Sequence, residues 1–256
     1  MTMAGFQKDD VSKIEELFDA YDLRNHTEIE NKYHCDAKTL NKIVNTLENG
    51  FTLGDYTIVV PQDFEKDQQD IYYDTDLFVM AKNKYSLRIR TVGANHVLTI
   101  KKPGNIGEKN EETQFIRLEF ERKCAENSIN CTDAVNAMDE NDLQAEISQK
   151  LHGFNYSDLK PVITVFNRRK TYHVMHKSSK NVLFEISLDD VEYKNISDGN
   201  TKKVYQIEIE LKESYIYRLN LDDFATEFCK EFSIETDGNK PKLSKYLEAL
   251  NLFNLI

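Results

Sequence analysis

Glu28, Glu30 and Lys32 alternate along E-I-E-N-K, and the same every-other-residue spacing of charge recurs down the chain. Arg88 and Arg90 share it in L-R-I-R, Thr99 and Lys101 in L-T-I-K, and Arg117, Glu119, Glu121 and Lys123 in R-L-E-F-E-R-K. Glu185 and Asp189 share it in F-E-I-S-L-D, and Glu208, Glu210 and Lys212 in I-E-I-E-L-K. A strand places residues i and i+2 on one face, so each set forms a single ionic row. Carboxylates hold hard divalent cations such as Mg²⁺ and Mn²⁺ through oxygen. Arginine and lysine hold phosphate oxygens, arginine commonly with two N–H groups at once. A surface carrying both in near balance suits a polyanion plus a metal, and a chain of phosphates is the natural candidate. The metal would neutralise charge and lower the pKa of a bound water, while the bases fix the chain.

The positions between these charges are apolar, as in Ile29, Leu87, Ile89, Leu98, Ile207 and Ile209. A single strand of this kind ordinarily belongs to a sheet with one solvated face. Six such strands make a different case. A dense ionic face is costly unless its groups pair or hold ions, and such costs are retained mainly at functional sites. The apolar rows must be buried, and amphipathic helices are predicted at 9–23, 36–47, 132–152, 217–230 and 242–253. Strands are predicted at 27–34, 56–60, 71–74, 85–92, 97–101, 113–123, 162–175, 182–191 and 203–212, with a helical turn at 76–83. The economical arrangement buries the apolar faces under helices and turns the ionic faces into a closed barrel, which removes the sheet edges. The fold class is therefore α+β, one domain dominated by an antiparallel sheet.

Composition excludes several alternatives. Lys plus Arg number 33 against 44 Asp plus Glu, a net charge of −11, which argues against a duplex-DNA binder with its usual basic face. Thirteen Tyr and 14 Phe exclude a disordered acidic tail. No apolar run is long enough to span a membrane. Cys35, Cys124, Cys131 and Cys229 form no C-x-x-C pair, so reduced thiols are the simple reading, and M-T-M-A-G-F-Q-K-D-D has no signal-peptide core. A cytoplasmic protein is expected.

The ordered motifs resemble the CYTH superfamily, also called triphosphate tunnel metalloenzymes. E-x-E-x-K at 28–32 resembles its opening signature, followed by Y-Y-D-T at 72–75, L-R-I-R at 87–90, L-T-I-K at 98–101 and R-L-E-F-E at 117–121. N-R-R-K-T-Y at 167–172, F-E-I-S-L-D-D-V at 184–191, I-E-I-E at 207–210 and S-K-Y at 244–246 continue the order. The resemblance implies an eight-stranded antiparallel barrel forming a triphosphate tunnel, with helices outside. Residues 27–256 would form this domain, and 1–26 a helical extension. It implies Mg²⁺ or Mn²⁺ as cofactor, held by Glu28, Glu30, Glu208 and Glu210 with Asp189, Glu119 and Glu121 assisting. It implies phosphate contacts from Lys32, Arg88, Arg90, Lys101, Arg169 (favoured over Arg168) and Lys245, and a catalytic set of Glu28, Glu30, Lys32 and Glu210.

The expected activity is a metal-dependent triphosphatase. It would act on a triphosphate-containing small molecule, inorganic triphosphate before nucleoside triphosphate, thiamine triphosphate or an RNA 5′-triphosphate. An adenylate cyclase of the CYTH type and a non-catalytic polyphosphate-binding module stand as alternatives. No duplex DNA or membrane partner is expected, and a homodimer is left open. No G-x-x-x-x-G-K-[ST] phosphate loop occurs. His173 and His176 lie on opposite faces of a predicted strand and make a poor metal pair, and Tyr33, Tyr72 and Tyr73 read as packing residues.

Overall fold

The structure is a computed structural model describing residues 27–103, 115–124, 147, 151, 154–178, 181–213, 217–236 and 243–256. Strand β1 (Thr27–Cys35) leads into helix α1 (Ala37–Glu48), short strands β2 (Phe51–Leu53) and β3 (Tyr56–Val59), then β4 (Glu65–Asp74) and α2 (Val79–Lys82). Next come β5 (Ser86–Val92), β6 (Asn95–Pro103), β7 (Phe115–Cys124), β8 (Lys160–His176), β9 (Val182–Asn195) and β10 (Thr201–Leu211). Helices α3 (Arg218–Phe232) and α4 (Lys245–Leu252) follow. The expected extension over 1–26 lies outside the described residues. So does the helix expected at 132–152, except for Ile147 and Leu151, which are buried against the outer faces of β5 and β6.

The strands run in the order β8-β4-β5-β6-β7-β1-β10-β9, and β9 pairs again with β8. Every pairing is antiparallel, so the sheet closes into an eight-stranded barrel without a free edge in the ring. β8 is the longest strand because it has two neighbours on one side. β4 pairs with Lys160–Lys170, and β3 continues the sheet along His173–His176. Gly93, at φ +57°, opens the two-residue turn between β5 and β6, where a side chain would be strained. β4 begins at Glu65 rather than at the expected Ile71. Its first half, E-K-D-Q-Q-D, carries no apolar alternation; pairing to β8 and β5 makes it a strand.

Helices α1 and α3 cover the outside. Leu40, Ile43 and Leu47 of α1 and Leu221, Phe224, Phe228 and Phe232 of α3 bury the outward Ile29, Ile186, Leu188, Ile207 and Ile209. Helix α4 departs from the expectation that helices lie outside. Its Tyr246, Ala249 and Leu250 pack on the inward positions Tyr72, Ile163, Val165, Val191 and Tyr193 at one barrel end. Most inward residues there are apolar or aromatic, and the helix covers that end. The ionic lining is confined to the rest of the lumen. Ser244 caps α4, its hydroxyl accepting the Leu247 N–H at 3.2 Å. Ser244→Ala is expected to cost about 1 kcal/mol, read as a fall of roughly 2–4 °C in thermal midpoint. No helix among the described residues is long and apolar enough to cross a membrane.

Candidate functional site

Register turns the sequence rows into a lumen lining. On β1 and its neighbours, Glu28 faces Arg117, Lys32 faces Glu208, and Glu30 faces Glu210. Lys101 faces Glu119 and Thr99 faces Glu121 between β6 and β7. Arg90 faces Asp70 between β5 and β4, and Arg169 faces Asp189 between β8 and β9. Opposite charges thus stand side by side almost everywhere. Glu210 breaks the pattern: it faces Glu30 on β1 and Glu185 on β9, like-charged neighbours that cost stability unless something positive joins them.

Two groups of ion pairs, linked through Glu30 and Lys32 at 3.9 Å, line the lumen. Nearest α4, Glu208 accepts from Lys32 at 2.9 Å, from Lys245 at 2.5 Å and from Arg169. Asp189, fully buried, takes Arg169 at 2.7 Å and Lys245 at 2.9 Å. On the other wall Glu28 takes Lys101 at 2.9 Å and Arg117 at 2.8 Å. Lys101 also reaches Glu119 at 3.0 Å, and Glu119 meets Arg88 at 3.3 Å. Arg117 bridges to Glu30 at 3.2 Å. Burial opposes ionisation of Glu28, yet Arg117 and Lys101 hold its carboxyl well below the usual range. Burial likewise opposes the charge on Glu208, and Lys245, Lys32 and Arg169 overcome it. Lys32 is pushed upward despite burial, because Glu208 and Glu30 stabilise its ammonium. These groups stay charged although each is largely buried.

Glu30 and Glu210 behave differently. Burial raises the Glu30 carboxyl, and the Glu208 and Glu28 charges raise it further. Glu210 is pushed up to about 7 by burial against the pull of Lys212, with Glu28 and Glu30 adding to the rise. Carboxylates are therefore crowded beyond what the nearby bases compensate, and this donor set fits a hard divalent cation. Among the described residues no group of His, Cys, Asp or Glu is already gathered around a cation position; the acids lean on bases instead. Toward the open end, Glu121 is exposed and accepts from Thr99 at 2.9 Å, and Arg90 is partly exposed. Arg169 faces the lumen, whereas Arg168 is exposed and pairs with Asp67.

Several lumen residues escaped the sequence reading. Asp70, 2% exposed, accepts from Arg90 at 2.7 and 2.8 Å and from Arg88 at 3.3 Å. It shares a face with Tyr72 and Gln68, so period two would have found it had β4 been extended to Glu65. Arg117, in the ionic row but outside the candidate set, sits between Glu28 and Glu30. The neutral amides Gln68, Asn167 and Gln206 are buried on the same lining and carry no charge pattern to betray them.

A family model for the CYTH domain matches residues 26–245, and the chain belongs to this family. Solved structures agree on the fold. A proposed adenylate cyclase from Bacillus halodurans superposes with a TM-score of 0.60 at 20% identity, over 86% of this chain and 96% of that one. A proposed adenylyl cyclase from Hippeastrum, described as revealing a dominant triphosphatase activity, superposes with a TM-score of 0.56 at 16% identity, over 89% and 96% of the two chains. A search of curated proteins found no significant match.

Proposed function

We propose that the chain is a metal-dependent triphosphatase releasing the terminal phosphate of a triphosphate, inorganic triphosphate first among the candidates. The observation that carries this reading is the Glu30–Glu210 like-charged pair, flanked by Glu28 and Glu208 and ringed by buried bases inside a closed barrel. Lys32, Arg88, Arg90, Lys101, Arg169 and Lys245 would take the phosphate oxygens, each exchanging a carboxylate partner for phosphate. Glu28, Glu30, Glu208 and Glu210 would hold Mg²⁺ or Mn²⁺, with Asp189, Glu119 and Glu121 nearby. The cation supplies charge neutralisation and a bound water of lowered pKa. The bases contribute positive charge where negative charge gathers on the transferring phosphoryl group. Closure by α4 leaves entry at the Glu210 end. The activity described for the Hippeastrum relative favours hydrolysis over cyclisation. The free thiol of Cys35 suits a cytoplasmic location.

The test is a panel of inorganic triphosphate, ATP, thiamine triphosphate and triphosphorylated RNA, each with Mg²⁺ or Mn²⁺. Metal-dependent phosphate release is expected. Cyclic AMP and pyrophosphate from ATP would replace the reading with a cyclase, and tight binding without turnover would replace it with a polyphosphate-binding module.

A further inference from the structure

Lysine is a long, freely rotating side chain, and fixing its ammonium costs conformational entropy. Lys245 nonetheless sits in the lumen with its ammonium on Glu208 and Asp189, and it is the first residue of α4. Its placement depends on how that first turn is held. The next residue, Tyr246, is fully buried, and its ring lies on that of Tyr72 with centroids 5.1 Å apart and planes 5° from parallel. The Tyr246 hydroxyl donates to Asp74 Oδ2 at 3.0 Å. Asp74 is itself fully buried and accepts the backbone N–H groups of Thr75 at 2.7 Å and of Met80 and Ala81 at 2.9 Å. One carboxylate therefore joins the end of β4, the start of α2 and the start of α4. The other face of the stack reaches the lumen too. Tyr72 stands directly opposite Arg88 in the β4–β5 pairing, and its phenol oxygen acts on the charge of that guanidinium. A second anchor lies at the end of the same first turn, where Glu248 accepts from Tyr193 at 2.9 Å and contacts His34 at 2.6 Å.

We propose that Tyr246, Tyr72 and Asp74 are positioning residues: the Tyr72–Tyr246 stack, pinned by Asp74, sets Lys245 and Arg88 at their separation across the phosphate site. What Lys245 and Arg88 hold rests on the triphosphatase reading; the geometry that holds them does not. Tyr246→Phe removes the bond to Asp74 but keeps the stack, and Glu248 keeps the helix docked. The start of the turn, ahead of the Glu248 anchor, can then shift, and the Lys245 ammonium with it.

The test measures affinity for inorganic triphosphate by calorimetry with metal chelated, so that turnover plays no part, in a double-mutant cycle with Lys245→Ala. Tyr246→Phe is expected to weaken binding about tenfold in the parent chain, the size of one lost hydrogen bond near charge. In the Lys245→Ala background it is expected to change nothing, because the two substitutions act through the same ammonium. Tyr72→Phe in a cycle with Arg88→Ala is an independent arm with the same expected pattern, and it decides the matter if Tyr246→Phe does not fold. Equal losses in both backgrounds would show that the stack supports the barrel in general and overturn the proposal. Unchanged affinity in the single variants would overturn it as well, with the triphosphatase reading untouched. A parent chain that binds no triphosphate would bring down both.

Discussion

Glu210→Ala is expected to reduce metal-dependent phosphate release from inorganic triphosphate by more than about 100-fold, with the fold intact. Substitutions in the outer shell of a metal site already cost about 10–100-fold, and Glu210 is proposed as a direct ligand. Glu210 is the cleanest of the four acids to remove. Lys212, on its own strand, bonds it at 3.1 Å, and its neighbours across β1 are the like-charged Glu30 and Glu28. Removing it relieves repulsion and strands no buried cation, so the thermal midpoint should hold or rise slightly. Glu28→Ala is expected to abolish turnover as well, but it also frees Lys101 and Arg117 from a carboxylate they share. Comparing circular dichroism, thermal midpoint and initial rates across Mg²⁺ and Mn²⁺ concentrations separates the two effects. Wild-type turnover in Glu210→Ala would remove that residue from the metal set.

Glu208→Ala is expected to damage stability most among the lumen substitutions. Its carboxylate is shared by Lys32, Lys245 and Arg169, with side-chain exposures of 4%, 6% and 15%. Deleting it leaves three buried cations to share Asp189 and Glu30. Breaking a buried pair by removing one partner costs about 3–5 kcal/mol, which corresponds to a fall of roughly 10 °C for a chain of this size. The same variant should respond to polyanion. Inorganic triphosphate without metal offers oxygens to the stranded cations and should recover part of the lost midpoint, by mass action on the folded state. A midpoint within about 2 °C of the parent would mean that the network contributes little to folding.

The ionic rows were legible in the sequence because strand geometry is local. Period two puts Glu208 with Glu210 and Arg88 with Arg90, whatever the strands pair with. Closure was legible less directly, through the cost of leaving so many charged faces and sheet edges without partners. Asp70 was not legible. The stretch E-K-D-Q-Q-D has no apolar alternation, and only the pairing of β4 with β5 and β8 gives it an inside. Helix α4 was predicted as a helix, but an amphipathic stripe does not say which surface it will cover. It covers the inner face at one end of the barrel, packing on mostly apolar and aromatic residues, and Lys245 becomes a lumen residue.

The chain by itself therefore determined the chemistry on offer, because side-chain type and strand period are properties of short segments. Which charges meet was decided only by the tertiary structure, through long-range register. β9 pairs back onto β8 and β1 lies between β7 and β10, and this sets Glu30 against Glu210 and Lys32 against Glu208. Ion pairing and cation binding depend on separations of a few ångströms, and those are created when distant strands dock.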